Sequence, residues 1–149
     1  MRLLYLMLAL CSFCVSADEM TYELLEAKGA KEFFSDNQGL MSEVMISISP
    51  EFAEHRAVVE AWEDKYFAWE KIREDLAPIY SERFNDDEIA ELTTFFNEGA
   101  PEAFLETPTG TKFQALMPEI SEEFTRFGYL YMQKVAPFLD DMLEDEKQL

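Results

Sequence analysis

His55 is the sole histidine of the chain, and Cys11 and Cys14 are its sole cysteines. Cys11-Ser12-Phe13-Cys14 has the spacing of a redox or metal-binding pair, but it lies inside an uncharged apolar run from Leu3 to Val15. Met1-Arg2 precedes that run, and Val15-Ser16-Ala17 has the small residues of an export-signal cleavage site. Residues 1–17 therefore read as a signal peptide, with Asp18 as the mature N-terminus. The run is too short for the ~20 residues that span a bilayer, which argues against an uncleaved anchor. Lipid attachment at either cysteine would want a small residue just before it, where Leu10 and Phe13 are bulky. One imidazole and no surviving thiol cannot build a structural zinc site or a two-histidine catalytic one. A ferritin-like di-iron bundle needs two Glu-x-x-His motifs, and there are none. Serine hydrolase chemistry would need His55 as base and a Gly-x-Ser-x-Gly elbow, which does not occur. Neither G-x-G-x-x-G nor a Walker phosphate loop occurs either, so no cofactor is expected.

Carboxylates are the remaining chemical resource. A glycosidase needs only two acids at a suitable separation, one with a raised pKa, and the chain has 31 Asp and Glu. Spacing along the sequence does not single out a pair. Asp140-Asp141-x2-Glu144-Asp145-Glu146 resembles a calcium loop in composition only, because the ordered ligands and central glycine of an EF-hand are missing. Against 12 Lys and Arg, the acids leave a net charge of −19, and losing Arg2 with the signal takes one further positive charge. Such a chain repels phosphate backbones and anionic lipid, so neither nucleic acid nor the membrane surface is an expected partner. Met41 and Met45 are spaced for a helix face rather than for copper.

The elements that must carry these residues are helices. Thr21 caps a first helical piece holding Leu24 and Leu25, and Asp36-Asn37-Gln38-Gly39 reads as a turn. Leu40 to Ile48 is a second amphipathic piece. Ser49-Pro50 starts the segment expected to be longest, where Phe52, Val59, Trp62, Tyr66, Trp69 and Leu76 recur at heptad-like spacing up to a bend at Pro78. Asn85 followed by Asp86, Asp87 and Glu88 starts a helix with Ile89, Leu92 and Phe96 on one face. Thr107-Pro108 starts another, whose stripe of Phe113, Met117, Ile120, Phe124, Phe127 and Tyr131 runs across Pro118 as a kinked helix. Pro137 precedes a final piece, and residues 144–149 form a charged, fraying tail. The pattern predicts an all-α, single-domain helical bundle over 18–149, with about five to seven helices.

Tyr80-x3-Phe84-x3-Glu88, then Leu92-x2-Phe95-Phe96, then Thr107-Pro108-x-Gly110-x-Lys112-Phe113 with Pro118, resembles the domain of unknown function 2059 family. These are small, mostly helical, exported bacterial proteins, and the resemblance covers roughly Leu76 to Tyr131. The family usually passes from the aromatic pair almost directly into the Thr-Pro-x-Gly element, whereas here Asn97 to Glu106 intervenes. The resemblance implies export, a helical architecture and a bacterial source, and carries no catalytic residues. Gly110 then reads as a close-packing position and Lys112 as a cation among acids.

The function expected is that of a non-enzymatic exported domain, periplasmic or extracellular. It would bind a partner protein, a second copy of itself or a small apolar ligand. Its aromatic excess points that way, with Trp62, Trp69, Phe124, Phe127 and Tyr131 as candidate interface or pocket residues. The alternative is a carboxylate-dependent hydrolase acting on envelope glycan.

Overall fold

A computed structural model describes residues 17–148. Cys11, Cys14 and the signal expected over 1–17 lie outside the described residues, apart from the backbone of Ala17. Every regular element among the described residues is helical. In chain order these are α1 (Ala17–Ala27), α2 (Ala30–Asp36), α3 (Leu40–Ile48), a 3₁₀ turn (Pro50–His55), α4 (Arg56–Tyr66) and α5 (Trp69–Leu76). They continue with α6 (Pro78–Ser81), α7 (Asp86–Asn97), a second 3₁₀ turn (Glu102–Glu106) and α8 (Pro108–Glu146). The all-α architecture is the one the periodicity predicts.

One apolar core joins these elements. Leu24 and Leu25 of α1, Val59 and Trp62 of α4, Leu76 of α5, Tyr80 of α6, Leu92 of α7 and Val135 of α8 are all buried in it. Burying each such side chain is worth about 1.5–3 kcal/mol, so the shared core rather than helix propensity holds the short pieces in place. Trp62 also donates its Nε1–H to the Val135 carbonyl at 2.9 Å, which ties α4 to α8 without leaving a buried donor unpaired.

The segment from Pro50 to Pro78 departs from the single kinked helix expected there. It opens as a 3₁₀ turn and is broken at Phe67-Ala68, where Ala68 adopts an extended conformation (ψ 141°). Aromatic packing explains the break. Phe67 stands edge-on to both Trp62 and Tyr131, at 5.2 and 5.5 Å between centroids, while Trp69 stacks on Phe34 of α2 at 6.3 Å. A straight helix would carry Phe67 off the seam of Val59, Trp62 and Tyr66. Pro78 disturbs little, because it occupies the first position of α6, where its missing N–H is no loss.

Helix α8 runs for 39 residues, about 58 Å at the usual rise, and crosses Pro118 as expected. It also crosses Pro137, which the sequence reading placed before a separate piece. Tyr131, Val135, Leu139 and Leu143 recur every fourth residue and are all buried, so the phase carries over the proline. Both prolines sit on the exposed side, where water reaches the carbonyls they leave without a helical donor. The acidic end of the chain continues α8 past residue 144. It stays helical to Glu146, whose Oε2 lies 2.5 Å from Nδ1 of His55.

Candidate functional site

The residues of the quoted motif converge at the junction of α6, α7 and α8. Asn85 and Glu88 form a reciprocal capping box, each side chain bonded to the other's backbone N–H at 2.9 Å. Glu88 also receives the Lys112 ammonium at 2.9 and 2.7 Å on its two oxygens, so one carboxylate caps α7 and pins the first turn of α8. The Lys112 bond and the Asn85 backbone bond hold its pKa below the usual carboxylate range. Lys112 Nζ lies 5.0 Å from the Phe84 ring centre, and Phe113 packs against Phe84, Phe95 and Phe96. Leu92 is buried beneath them. Thr107 caps α8 by accepting from the Gly110 N–H at 3.0 Å, and Pro108 follows at the first helical position.

Gly110 has a steric cause. A Cβ built there would lie 2.0 Å from the Phe104 carbonyl oxygen and 2.8 Å from Leu105 Cα. The connector Asn97 to Glu106 thus folds back onto α8. Its turn packs Phe104 on Phe95 at 4.5 Å, and Gln114 donates to the Leu105 carbonyl at 2.9 Å. These contacts make a structural joint between the connector, α7 and α8.

An open site borders this joint at Lys28. An apolar groove of about 1020 Å³ runs between α2, α3 and α5 and the middle of α8. Four of the five aromatic residues singled out from the sequence line it: Trp69, Phe124, Phe127 and Tyr131. The fifth, Trp62, is fully buried in the core. The Tyr131 hydroxyl donates to the Tyr66 carbonyl, and burial lifts its pKa to about 12. Phe33 and Leu40, both largely exposed, continue the apolar surface onto the lip.

Two polar residues shape this groove, and neither stood out from the sequence as a site. Glu63 of α4 is only 3% exposed. Its carboxylate accepts from the N–H groups of Gly39, Met41 and Ser42 at 2.8, 3.2 and 2.8 Å, and from the Ser42 hydroxyl. It thus caps the start of α3 from a different helix, placing negative charge at the positive end of the α3 dipole. Gly39 makes the approach with φ 90°, a left-handed conformation that suits glycine. The cap fixes α3 as one wall of the groove.

Lys28 is the second. It follows α1 by one residue, and its ammonium lies 4.4 Å from the Phe96 ring centre, 5.3 Å from Tyr80 and 5.7 Å from Phe113. No carboxylate lies within ion-pair distance of it among the described residues. Burial pulls its pKa below the ordinary lysine range. Its position three and four residues after Leu25 and Leu24 puts it on the buried face of α1, a signal the sequence does carry. Tyr80 beside it is fully buried with its hydroxyl unpartnered, and burial raises that pKa strongly. Among the described residues no cluster of three or more metal-ligating side chains occurs, and no helix is long and apolar enough to cross a membrane. Comparison with protein-family models, curated proteins and solved structures finds no match to this chain.

Proposed function

We propose that the chain is an exported, non-enzymatic helical carrier or receptor that holds a small apolar ligand in the groove between α2, α3, α5 and α8. The observation that carries this reading is the groove itself, whose size of about 1020 Å³ and aromatic, aliphatic walls fit a ligand pocket. Its one buried carboxylate supports binding over hydrolysis: Glu63 spends both oxygens on the start of α3 and has no role left as acid or nucleophile. Export rests on the sequence pattern of residues 1–17, and places the protein in the periplasm or outside the cell. Kinship with the domain of unknown function 2059 family remains part of this proposal. The joint of Glu88, Lys112 and Gly110 supports it by giving the shared positions a common structural task.

The experiment is equilibrium titration of the mature protein with a neutral naphthylamine dye that fluoresces in apolar surroundings. One saturable site per chain is expected. A signal that rises linearly without saturating would overturn the reading. A second reading, self-association or docking of a protein partner, is favoured by the α3 stripe of Leu40, Val44 and Ile48, the last 72% exposed. Sedimentation tests its self-association arm: a monomer at all concentrations removes it.

A further inference from the structure

Resting on the groove as the ligand site, we infer that its occupant is a single-chain aliphatic carboxylate, with the tail along the groove and the head group at Lys28. The tail follows from the walls, which are aromatic and aliphatic along α2, α5 and α8. The head group follows from charge. This chain has a large excess of acids, and Lys31, Arg56, Arg83, Lys112, Arg126 and Lys134 each hold a carboxylate within 4 Å. Lys28 borders the groove and holds none, although it is more deeply withdrawn from water than most of these. A desolvated ammonium without a counter-ion is costly, and an incoming anion relieves that cost in proportion to the burial. The aromatic rings of Phe96, Tyr80 and Phe113 soften the cost without removing it.

The acids on the groove do not compete for that role. Glu63 is saturated by α3, and Asp64 accepts from Gln38 Nε2 at 2.9 Å beside the start of α3, among contacts different from those around Lys28. Glu70 is exposed to water, and Lys31, the other lysine on the groove, is exposed and already lies 3.4 Å from Glu26. One point-charge ammonium with no arginine fork matches a monovalent carboxylate. A phosphate dianion would leave a second charge unmatched at a half-buried position.

The test is competition for the neutral naphthylamine site by hexadecanoate and by hexadecanol, using mature wild type, Lys28→Met, Lys28→Gln and Lys28→Arg. In wild type the acid should displace the dye at about tenfold or more lower concentration than the alcohol, the range of a charge-assisted hydrogen bond. Lys28→Met and Lys28→Gln should lose that preference while still binding the alcohol, and Lys28→Arg should keep it. Equal displacement by acid and alcohol in wild type overturns the carboxylate assignment and leaves the groove reading standing. So does a preference that survives in Lys28→Met. If the dye binds but neither compound displaces it, the aliphatic-carboxylate assignment fails and the groove reading stands; if the dye finds no saturable site, the groove reading fails and this inference fails with it.

Discussion

Replacing Glu63 by Gln removes a charge and turns one acceptor into a donor, with almost no change of volume. In the native site one carboxylate oxygen faces the N–H groups of Gly39 and Met41, and the other faces the N–H and hydroxyl of Ser42. An amide can satisfy one side only, and its NH₂ opposes donors on the other. A buried donor left unpaired costs about 1–3 kcal/mol, and losing negative charge at the start of α3 costs about 0.3–1 kcal/mol more. The expected loss is therefore about 1–4 kcal/mol, a large share of the total stability of a domain this size. The assay is urea unfolding followed by tryptophan fluorescence, with Asp64→Asn as control. Asp64 is exposed and accepts a single bond from Gln38, so its change should stay within about 0.5 kcal/mol. A Glu63→Gln midpoint equal to wild type, or an equally damaged Asp64→Asn, would refute the capping argument.

Other outcomes follow from the same contacts. Gly110→Ala drives a methyl into the backbone of Phe104 and Leu105, so it should cost about 3 kcal/mol or more in urea unfolding, the upper range for overpacking. Tyr80→Phe removes a buried unpartnered hydroxyl and should hold or raise stability by about 1 kcal/mol in the same assay. Burial raises the pKa of both Tyr80 and Tyr131, so the fold is unaffected by their titration below about pH 10 and loses stability as pH climbs above it toward their folded values. Lys28 acts in the opposite sense. Its folded pKa is lowered, so the unfolded chain binds its proton more tightly and stability rises with pH up to about 10.4. Lys28→Met should flatten that rise when unfolding midpoints are measured between neutral and alkaline pH. The lowered pKa of Glu88 gives stability that is present above about pH 4.3 and lost as pH falls through the folded value. Lys112→Met should shrink that acid-side loss, at a cost near neutrality of about 0.5 kcal/mol for a partly exposed pair.

What the sequence made legible was local. Asn85 with Glu88, and Thr107 with Pro108, are read within four residues, and both caps form where their spacing puts them. The α8 stripe was likewise visible across Pro118, because helical phase survives an exposed proline. Nonlocal packing was not legible. The break at Ala68 arises because Phe67 finds Trp62 and Tyr131, and Tyr131 lies in a helix far along the chain. Glu63 offers the sharper lesson. Its donors are 21 to 24 residues away, so nothing beside it in sequence distinguishes it from the solvated acids around it. Gly110 was singled out as a packing position, but its partner, the turn at Phe104 and Leu105, belongs to the intervening connector and is not marked by the motif itself. The aromatic residues divide between core and groove: Trp62, Tyr80, Phe84, Phe95 and Phe113 are buried away from the groove, while Trp69, Phe124, Phe127 and Tyr131 line it beside Lys28.

The groove as ligand site is tested most directly at Gly128. This residue lines the groove from α8, and a Cβ added there meets nothing within 4 Å, so a larger side chain can enter the space without straining the fold. Gly128→Leu should fold with stability raised by about 1 kcal/mol from helix propensity while its side chain obstructs the middle of the groove. Titrated with the neutral naphthylamine dye, this variant should lose most of the wild-type binding. Undiminished binding by a folded Gly128→Leu protein would contradict the account.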